Sequence, residues 1–179
     1  MLEDERKLIL EAKGGEAEAF GRLYDYYLPA IYRFILLKVG QREEAEDLTH
    51  QVFLKAWQNI SGFTERGFPL SSWLYRIARN LIADRYRKTR PFIGISEEFV
   101  SEQLIFRPDT TKLDDKKDIA RIMDSLRELK DVERDVVIMR FVEDLSVKEV
   151  AEAINKSEGA VKLIQHRALK RIKEILDAK

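Results

Sequence analysis

The sequence has no cysteine and contains only 2 histidines, 8 glycines and 4 prolines among its 179 residues. Without cysteine it has no disulfide framework, no thiolate metal site and no thiol nucleophile, which is compatible with a reducing compartment. No run approaches the ~20 apolar residues that span a bilayer, and the acidic first fifteen residues hold no apolar stretch of signal-peptide length. We therefore expect a cytoplasmic protein without membrane insertion.

Patterns typical of catalysis are also missing. The two histidines, His50 and His166, fall in different predicted helices, and the sequence has neither a glycine-rich phosphate loop nor a spaced set of carboxylates. We predict that the protein is not an enzyme and has no cofactor and no metal site.

Charge is balanced overall but unevenly distributed. The 32 basic and 32 acidic residues give a net charge of zero. Residues 70–90 nevertheless contain six Arg or Lys against one Asp, and residues 159–179 contain six against two acidic residues. Two separate basic segments of this kind indicate surfaces suited to nucleic acid, whatever the net charge.

Apolar residues recur at helical spacing along most of the chain, and no strand pattern is convincing. Pro29 should bend or interrupt the first long helix, and Ser71 or Ser72 should cap a later one. We predict an all-α fold of two small helical domains, residues 1–90 and 115–179, joined by an irregular linker over 91–114. The helices are expected at 16–39, 43–57, 71–90, 115–129, 132–142, 146–154 and 157–177.

The C-terminal domain carries the start and stop signals of a helix-turn-helix. Ser146 and Glu149 form a capping box, Asn155 is suited to the left-handed end of that short helix, and Ser157 caps the next one. A two-turn helix followed by a tight turn and a long basic helix is the pattern of many DNA-binding domains.

A helical wheel divides the second of these helices into two sides. An apolar side is expected to pack on the preceding helices: Val161, Ile164, Ala168, Leu169, Ile172, Ile175 and Leu176. The other side is mostly basic: Gly159, Lys162, Leu163, His166, Arg167, Lys170 and Lys173. On this side, Arg167 is suited to hydrogen bonds with a guanine edge, and Leu163 is suited to contact with a thymine methyl. Gly159 would let the helix end approach a phosphate closely. The alternative is a solvated amphipathic helix, and Gln165 on the apolar side needs a partner under either interpretation.

Residues 63–90 combine aromatic and basic side chains. Arg76, Arg79, Asn80 and Arg87 lie on one side of the predicted helix, with Trp73 at its edge and the Phe63–Phe68 loop before it. A basic groove with aromatic platforms suits single-stranded nucleic acid, and the loop suits a wall for an extruded base. The alternative is that the aromatic residues are core and the arginines are ordinary surface.

Three stretches, in this order, resemble bacterial RNA polymerase sigma factors of the extracytoplasmic-function (ECF) group of the sigma-70 family. They are AEDLTHQVFLKAW (45–57), WLYRIARNLIADRYR (73–87) and LSVKEVAEAINKSEGAVKLIQHRAL (145–169). The resemblance implies a sigma factor that binds core RNA polymerase and directs promoter-specific transcription initiation. Residues 1–90 would be sigma region two, which captures and melts the minus-ten element, and residues 115–179 sigma region four, which binds the minus-thirty-five element.

The resemblance also implies roles for individual residues. Contact with the polymerase clamp helices would fall to Asp47, Leu48, Gln51, Val52, Phe53 and Lys55. The minus-ten element would be bound by Phe63, Phe68, Trp73, Arg76, Arg79, Asn80 and Arg87. The minus-thirty-five duplex would be bound by Ser157, Gly159, Lys162, Leu163, His166, Arg167 and Lys170. Region four would also touch the polymerase flap, and an anti-sigma factor is an expected partner.

The sequence departs from the family pattern at several positions. Lys130 stands where a proline is common before region four, and Asp144 replaces the usual glycine at the end of a helix, where a left-handed conformation is expected. Leu163 and Ile164 replace commonly polar residues, so promoter preference is not transferable from relatives. The alternative function is a helix-turn-helix transcriptional regulator that acts without replacing a sigma factor.

Overall fold

Helices make up most of the described chain. The computed structural model describes residues 4–64, 67–88 and 124–177, and no strand occurs in these ranges, which confirms the all-α prediction. The predicted linker, residues 91–114, and the predicted helix start at residue 115 lie outside them. The chain divides after Phe92 into two compact units.

The described part of the first unit contains four helices. They are α1 (Glu5–Lys13), α2 (Ala17–Val39), α3 (Arg42–Asn59) and α4 (Leu70–Lys88), with a 3-10 turn at Ile60–Gly62. Pro29 lies inside α2 at an exposed position and does not end the helix, so interruption at this residue is wrong. Gly40 ends α2 with a φ of 78°, a conformation that costs glycine little because it has no Cβ.

The core of the first unit is formed by the apolar stripes of α2, α3 and α4. Phe34 of α2 is fully buried and meets Tyr75 of α4 edge to face, with ring centroids 5.2 Å apart. Burial of the Tyr32 hydroxyl, aided by the Glu46 carboxylate, raises the pKa of Tyr32 above its ordinary value. Helix α3 contributes buried residues at helical spacing to this core: Ala45, Leu48, Val52 and Ala56.

Helix α1 falls in a stretch for which the sequence pattern predicts no helix. Its first residue, Glu5, is buried, and Glu5 Oε1 accepts a hydrogen bond from the Leu70 N–H at 3.2 Å. A carboxylate 65 residues away along the chain therefore caps α4. The predicted cap at Ser71 or Ser72 is wrong, because α4 begins at Leu70 and both serines lie within it.

The described part of the second unit contains a helical turn at 124–127 and three longer helices. These are α5 (Asp131–Val137), which continues as a π-helical turn (Ile138–Val142), α6 (Val147–Ile154) and α7 (Glu158–Asp177). The Arg134 guanidinium donates to the carbonyls of Leu126, Arg127 and Leu129 at 2.8, 2.9 and 3.3 Å. Two of these carbonyls belong to the last residues of the helical turn and the third follows it, so Arg134 joins the end of that turn to α5.

Two departures from the family pattern are accommodated locally. The Lys130 N–H, which a proline would lack, donates to Glu133 Oε2 at 3.1 Å and so helps to cap α5. Asp144 adopts the expected left-handed conformation, with a φ of 57°.

Candidate nucleic-acid interface

The pair α6 and α7 forms the predicted helix-turn-helix. Ser146 Oγ accepts from the Glu149 N–H at 3.2 Å, while Glu149 Oε2 accepts from the Ser146 N–H at 2.7 Å. Asn155 ends α6 with a φ of 53°, and Ser157 Oγ accepts from the Ala160 N–H at 3.2 Å. Each of the predicted caps is confirmed, and together they fix where α7 starts.

The inner side of α7 packs on α5 and α6 through Val161 and Ala168, which are fully buried. Leu169 and Leu176, predicted to lie in the same core, are instead 41% and 40% exposed. Leu169 directly follows fully buried Ala168, so its side chain is turned about 100° away from the packed side of the helix.

The outward side of α7 is accessible at every predicted DNA-binding position. The exposed residues are Ser157, Gly159, Lys162, Leu163, His166, Arg167 and Lys170. Leu163 is a large aliphatic side chain that remains 49% exposed between cations. Beyond its own stretch of helix, a Cβ added at Gly159 would meet no atom within 4 Å, so packing does not require glycine there. This surface combines positive charge with one apolar side chain and one imidazole.

Gln165 has the internal partner that its place on the apolar side requires. Arg140, in the π-helical turn, donates through Nε to Gln165 Oε1 at 3.4 Å. The same guanidinium donates through its Nη1 to the Leu145 carbonyl, just before α6. Arg140 therefore connects α7 to the turn that precedes the helix-turn-helix.

Gln165→Leu should lower the free energy of unfolding by about 1 kcal/mol. The substitution roughly conserves volume but leaves Arg140 Nε without this acceptor, and losing a partner for a partly buried charged donor outweighs a small gain in apolar burial. Urea unfolding followed by circular dichroism measures the change. Gln165→Glu keeps an acceptor and should be at least as stable as wild type, and a more stable leucine variant would contradict the prediction.

On α4, the polar face contains exposed Asn80 and Arg87, with half-buried Arg76 and Arg79 beside them. Arg87 forms an ion pair with Asp84 one turn earlier, and both side chains are largely solvated. Exposed pairs of this kind contribute little free energy, so the ion pair does not prevent Arg87 from binding another anion. The face therefore supplies one free amide and several guanidinium groups.

Two aromatic residues near the start of α4 pack on each other. Phe63 is only 8% exposed and packs against half-buried Trp73, with ring centroids 5.1 Å apart. The Phe63 ring therefore supports Trp73 from the inner side. Phe68, nearer the helix, is half-buried, and residues 65 and 66 between them lie outside the described ranges.

Comparison with known proteins matches both units to one family. Residues 23–92 match the model of Sigma-70 region 2, and residues 125–174 match that of Sigma-70, region 4. SigW of Bacillus subtilis, an ECF RNA polymerase sigma factor, is 30% identical over 184 residues, covering 96% of this chain and 96% of SigW. The chain belongs to the ECF RNA polymerase sigma factors.

One further ECF relative and one solved structure are also similar to this chain. BldN of Streptomyces coelicolor is 37% identical over 172 residues, which cover 95% of this chain but only 65% of BldN. The sigma factor RpoE from Bartonella quintana, solved with the anti-sigma factor NepR, has a TM-score of 0.70 at 23% identity, covering 90% of this chain and 98% of the solved chain. At that identity RpoE supports the fold alone.

In this ECF sigma factor, α3 divides its predicted polymerase-binding residues between surface and core. Asp47, Gln51 and Lys55 are exposed. The other three are buried and hold α3 against its neighbours: Leu48, Val52 and Phe53.

Sequence reasoning missed Leu54, which is 56% exposed beside Gln51 and Lys55. Leu54 borders an open groove of about 320 Å³ between α2 and α3. In this groove the ring of Tyr24 packs on that of Phe53, with centroids 4.7 Å apart. Its lining is mostly apolar: Ala17, Phe20, Tyr24, His50, Phe53, Leu54 and Trp57. A leucine on the polar side of the α3 wheel is the sequence signal that would have indicated this surface.

Within residues 4–64, 67–88 and 124–177, no group of three or more His, Asp or Glu side chains is arranged to hold a metal ion. In the same ranges, no helix combines the length and the apolar character that crossing a bilayer requires.

Proposed function

We propose that this protein binds core RNA polymerase and directs promoter-specific transcription initiation, as a specificity subunit without catalytic activity of its own. It acts in the cytoplasm, where polymerase and promoter DNA meet. The first unit captures the minus-ten element as a single strand, and the second unit binds the minus-thirty-five element as duplex. The observation that carries the proposal is the exposed basic face of α7 on a fully capped helix-turn-helix.

The face of α7 suits the major groove of duplex DNA. The Arg167 guanidinium can donate two parallel hydrogen bonds to the N7 and O6 atoms of guanine, and Leu163 can contact a thymine methyl. His166 lies between them on the same side of the helix, while Lys162 and Lys170 are placed for phosphates. In this arrangement the cations supply salt-dependent affinity and the base contacts supply specificity.

The face of α4 suits an unpaired strand. Extruding a base costs a few kcal/mol, and stacking on an aromatic ring returns about 1–3 kcal/mol per base. Trp73 offers such a ring, held in place by Phe63, and the exposed Asn80 amide can both donate to and accept from a base edge. Arg76, Arg79 and Arg87 attract the backbone, and half-buried Phe68 borders the same surface.

We propose protein partners for surfaces that do not bind DNA. Asp47, Gln51 and Lys55, with Leu54 beside them, form an exposed strip on α3 that suits the clamp helices of polymerase, and the second unit touches the flap. An anti-sigma factor is proposed as a further partner, since RpoE of similar fold was solved with the anti-sigma factor NepR.

Transcription from a promoter library tests the proposal. Purified protein is mixed with core RNA polymerase and a DNA pool randomised over both promoter elements, and transcripts are sequenced. We expect enrichment of two separated motifs only when both proteins are present. A regulator that does not replace a sigma factor would instead bind duplex DNA without polymerase and yield no transcript enrichment with core enzyme alone.

A further inference from the structure

Helix α1 is hydrogen-bonded to both ends of the loop that joins the 3-10 turn to α4. At one end, Lys13 Nζ donates to the Phe63 carbonyl at 2.8 Å. At the other end, Glu5 Oε1 accepts from the Leu70 N–H at 3.2 Å in a buried position. Both are charge-assisted hydrogen bonds, which are roughly twice as strong as neutral ones.

One rigid element therefore supplies both bonds. Glu5 and Lys13 stand at the first and last positions of α1, about 12 Å apart along its axis. Leu8, Ile9 and Ala12 of the same helix are buried, which holds α1 to the unit. A seven-residue connection extends to about 24 Å, so the chain from Phe63 to Leu70 does not by itself fix the separation of its ends.

The bond at Lys13 acts on the residue that supports Trp73. Lys13 binds the carbonyl of Phe63, and the Phe63 ring packs on Trp73 at 5.1 Å. The bond at Glu5 caps the helix that carries Trp73 and Asn80. Neither Glu5 nor Lys13 belongs to the DNA-facing set, and the match to Sigma-70 region 2 begins only at residue 23, after α1.

We propose that α1 is a positioning element for the minus-ten surface. Lys13 and Glu5 fix the two ends of the Phe63–Leu70 loop and thereby hold the Phe63 ring against Trp73 of α4, on which an extruded base would stack. Loss of either bond should relax base selection in the minus-ten element and leave the minus-thirty-five element unaffected. The inference rests on the proposed function, since it assumes that the α4 face binds the unpaired strand.

The test uses full-length Lys13→Met in holoenzyme with the randomised promoter library. Methionine keeps the apolar stem of the lysine but cannot donate to the Phe63 carbonyl. We expect preference for the best minus-ten base to fall about tenfold, with minus-thirty-five preferences unchanged. Lys13→Arg should restore selectivity, and Glu5→Ala should reproduce the loss. Lys7→Met is the matched control, because Lys7 lies exposed on the same helix and pairs only loosely with Glu11 at 3.9 Å.

The results that contradict this inference differ from the result that contradicts the proposed function. Unchanged minus-ten preference in Lys13→Met, equal loss at both elements, or equal loss in Lys7→Met would overturn the inference. Unfolding of Lys13→Met and Glu5→Ala by circular dichroism would also overturn it, because α1 would then be a folding element only. If wild-type protein gives no transcript with core enzyme, the proposed function fails and not merely this inference.

Discussion

Arg167→Ala should lower affinity for the minus-thirty-five duplex by about 5- to 150-fold, equivalent to ~1–3 kcal/mol for one bidentate base contact. Arg167 is exposed on the outward side of α7, so its loss removes no internal packing. The loss should be specific to one base pair, because a phosphate contact would weaken all sequences alike. Fluorescence anisotropy with duplexes that vary at each position of the selected motif measures the loss of affinity and shows which base pair it depends on.

Two variants define the controls for this result. Lys173→Ala removes a cation from the same side of α7 about four turns after its start, beyond the part of a recognition helix that enters the groove, and should change affinity little. Asn80→Ala should impair promoter opening, scored with permanganate, while leaving duplex binding intact. If Arg167→Ala and Asn80→Ala each reduce duplex affinity and promoter opening to the same extent, the proposed division of labour between the two units is wrong.

Phe34→Ala should destabilise the first unit by about 3–5 kcal/mol, the range for truncating a buried phenylalanine. Phe34 is completely buried and loses its edge-to-face contact with Tyr75, which adds to the cavity cost. Since domains of this size have about 5–15 kcal/mol in total, a large part of the unit's stability disappears. Both tryptophans of the chain, Trp57 and Trp73, lie in this unit, so their fluorescence reports its unfolding alone.

The same substitution in the second unit provides the control. Phe141 is 49% exposed, so Phe141→Ala should leave the tryptophan unfolding transition unchanged. Phe34→Ala should retain binding to the minus-thirty-five duplex at temperatures where tryptophan fluorescence shows the first unit unfolded. A Phe34→Ala midpoint in urea close to that of wild type would show that the core relaxes to fill the cavity.

The features that the sequence predicts correctly are those with local causes. Ser146, Glu149, Asn155 and Ser157 act on backbone groups within a few residues of themselves, so a short stretch of sequence contains everything that the two helix starts and the turn require. The outward side of α7 is predicted correctly for the same reason, since helical spacing fixes which residues share a face.

The features that it predicts wrongly depend on distant neighbours. The cap of α4 comes from Glu5, in another helix, and the serines near the helix start gave a plausible local alternative. Exposure of Leu169 depends on where the neighbouring helices pack against α7, which the α7 wheel does not contain.

Gly159 places folding and recognition in opposition at a single residue. Alanine in the first turn of α7 would meet no atom beyond its own stretch of helix, and alanine is generally favoured over glycine in helices. Under the proposed function, the missing side chain leaves room for a phosphate group at the start of α7. The amino acid that best stabilises the helix and the one that best admits DNA are then different.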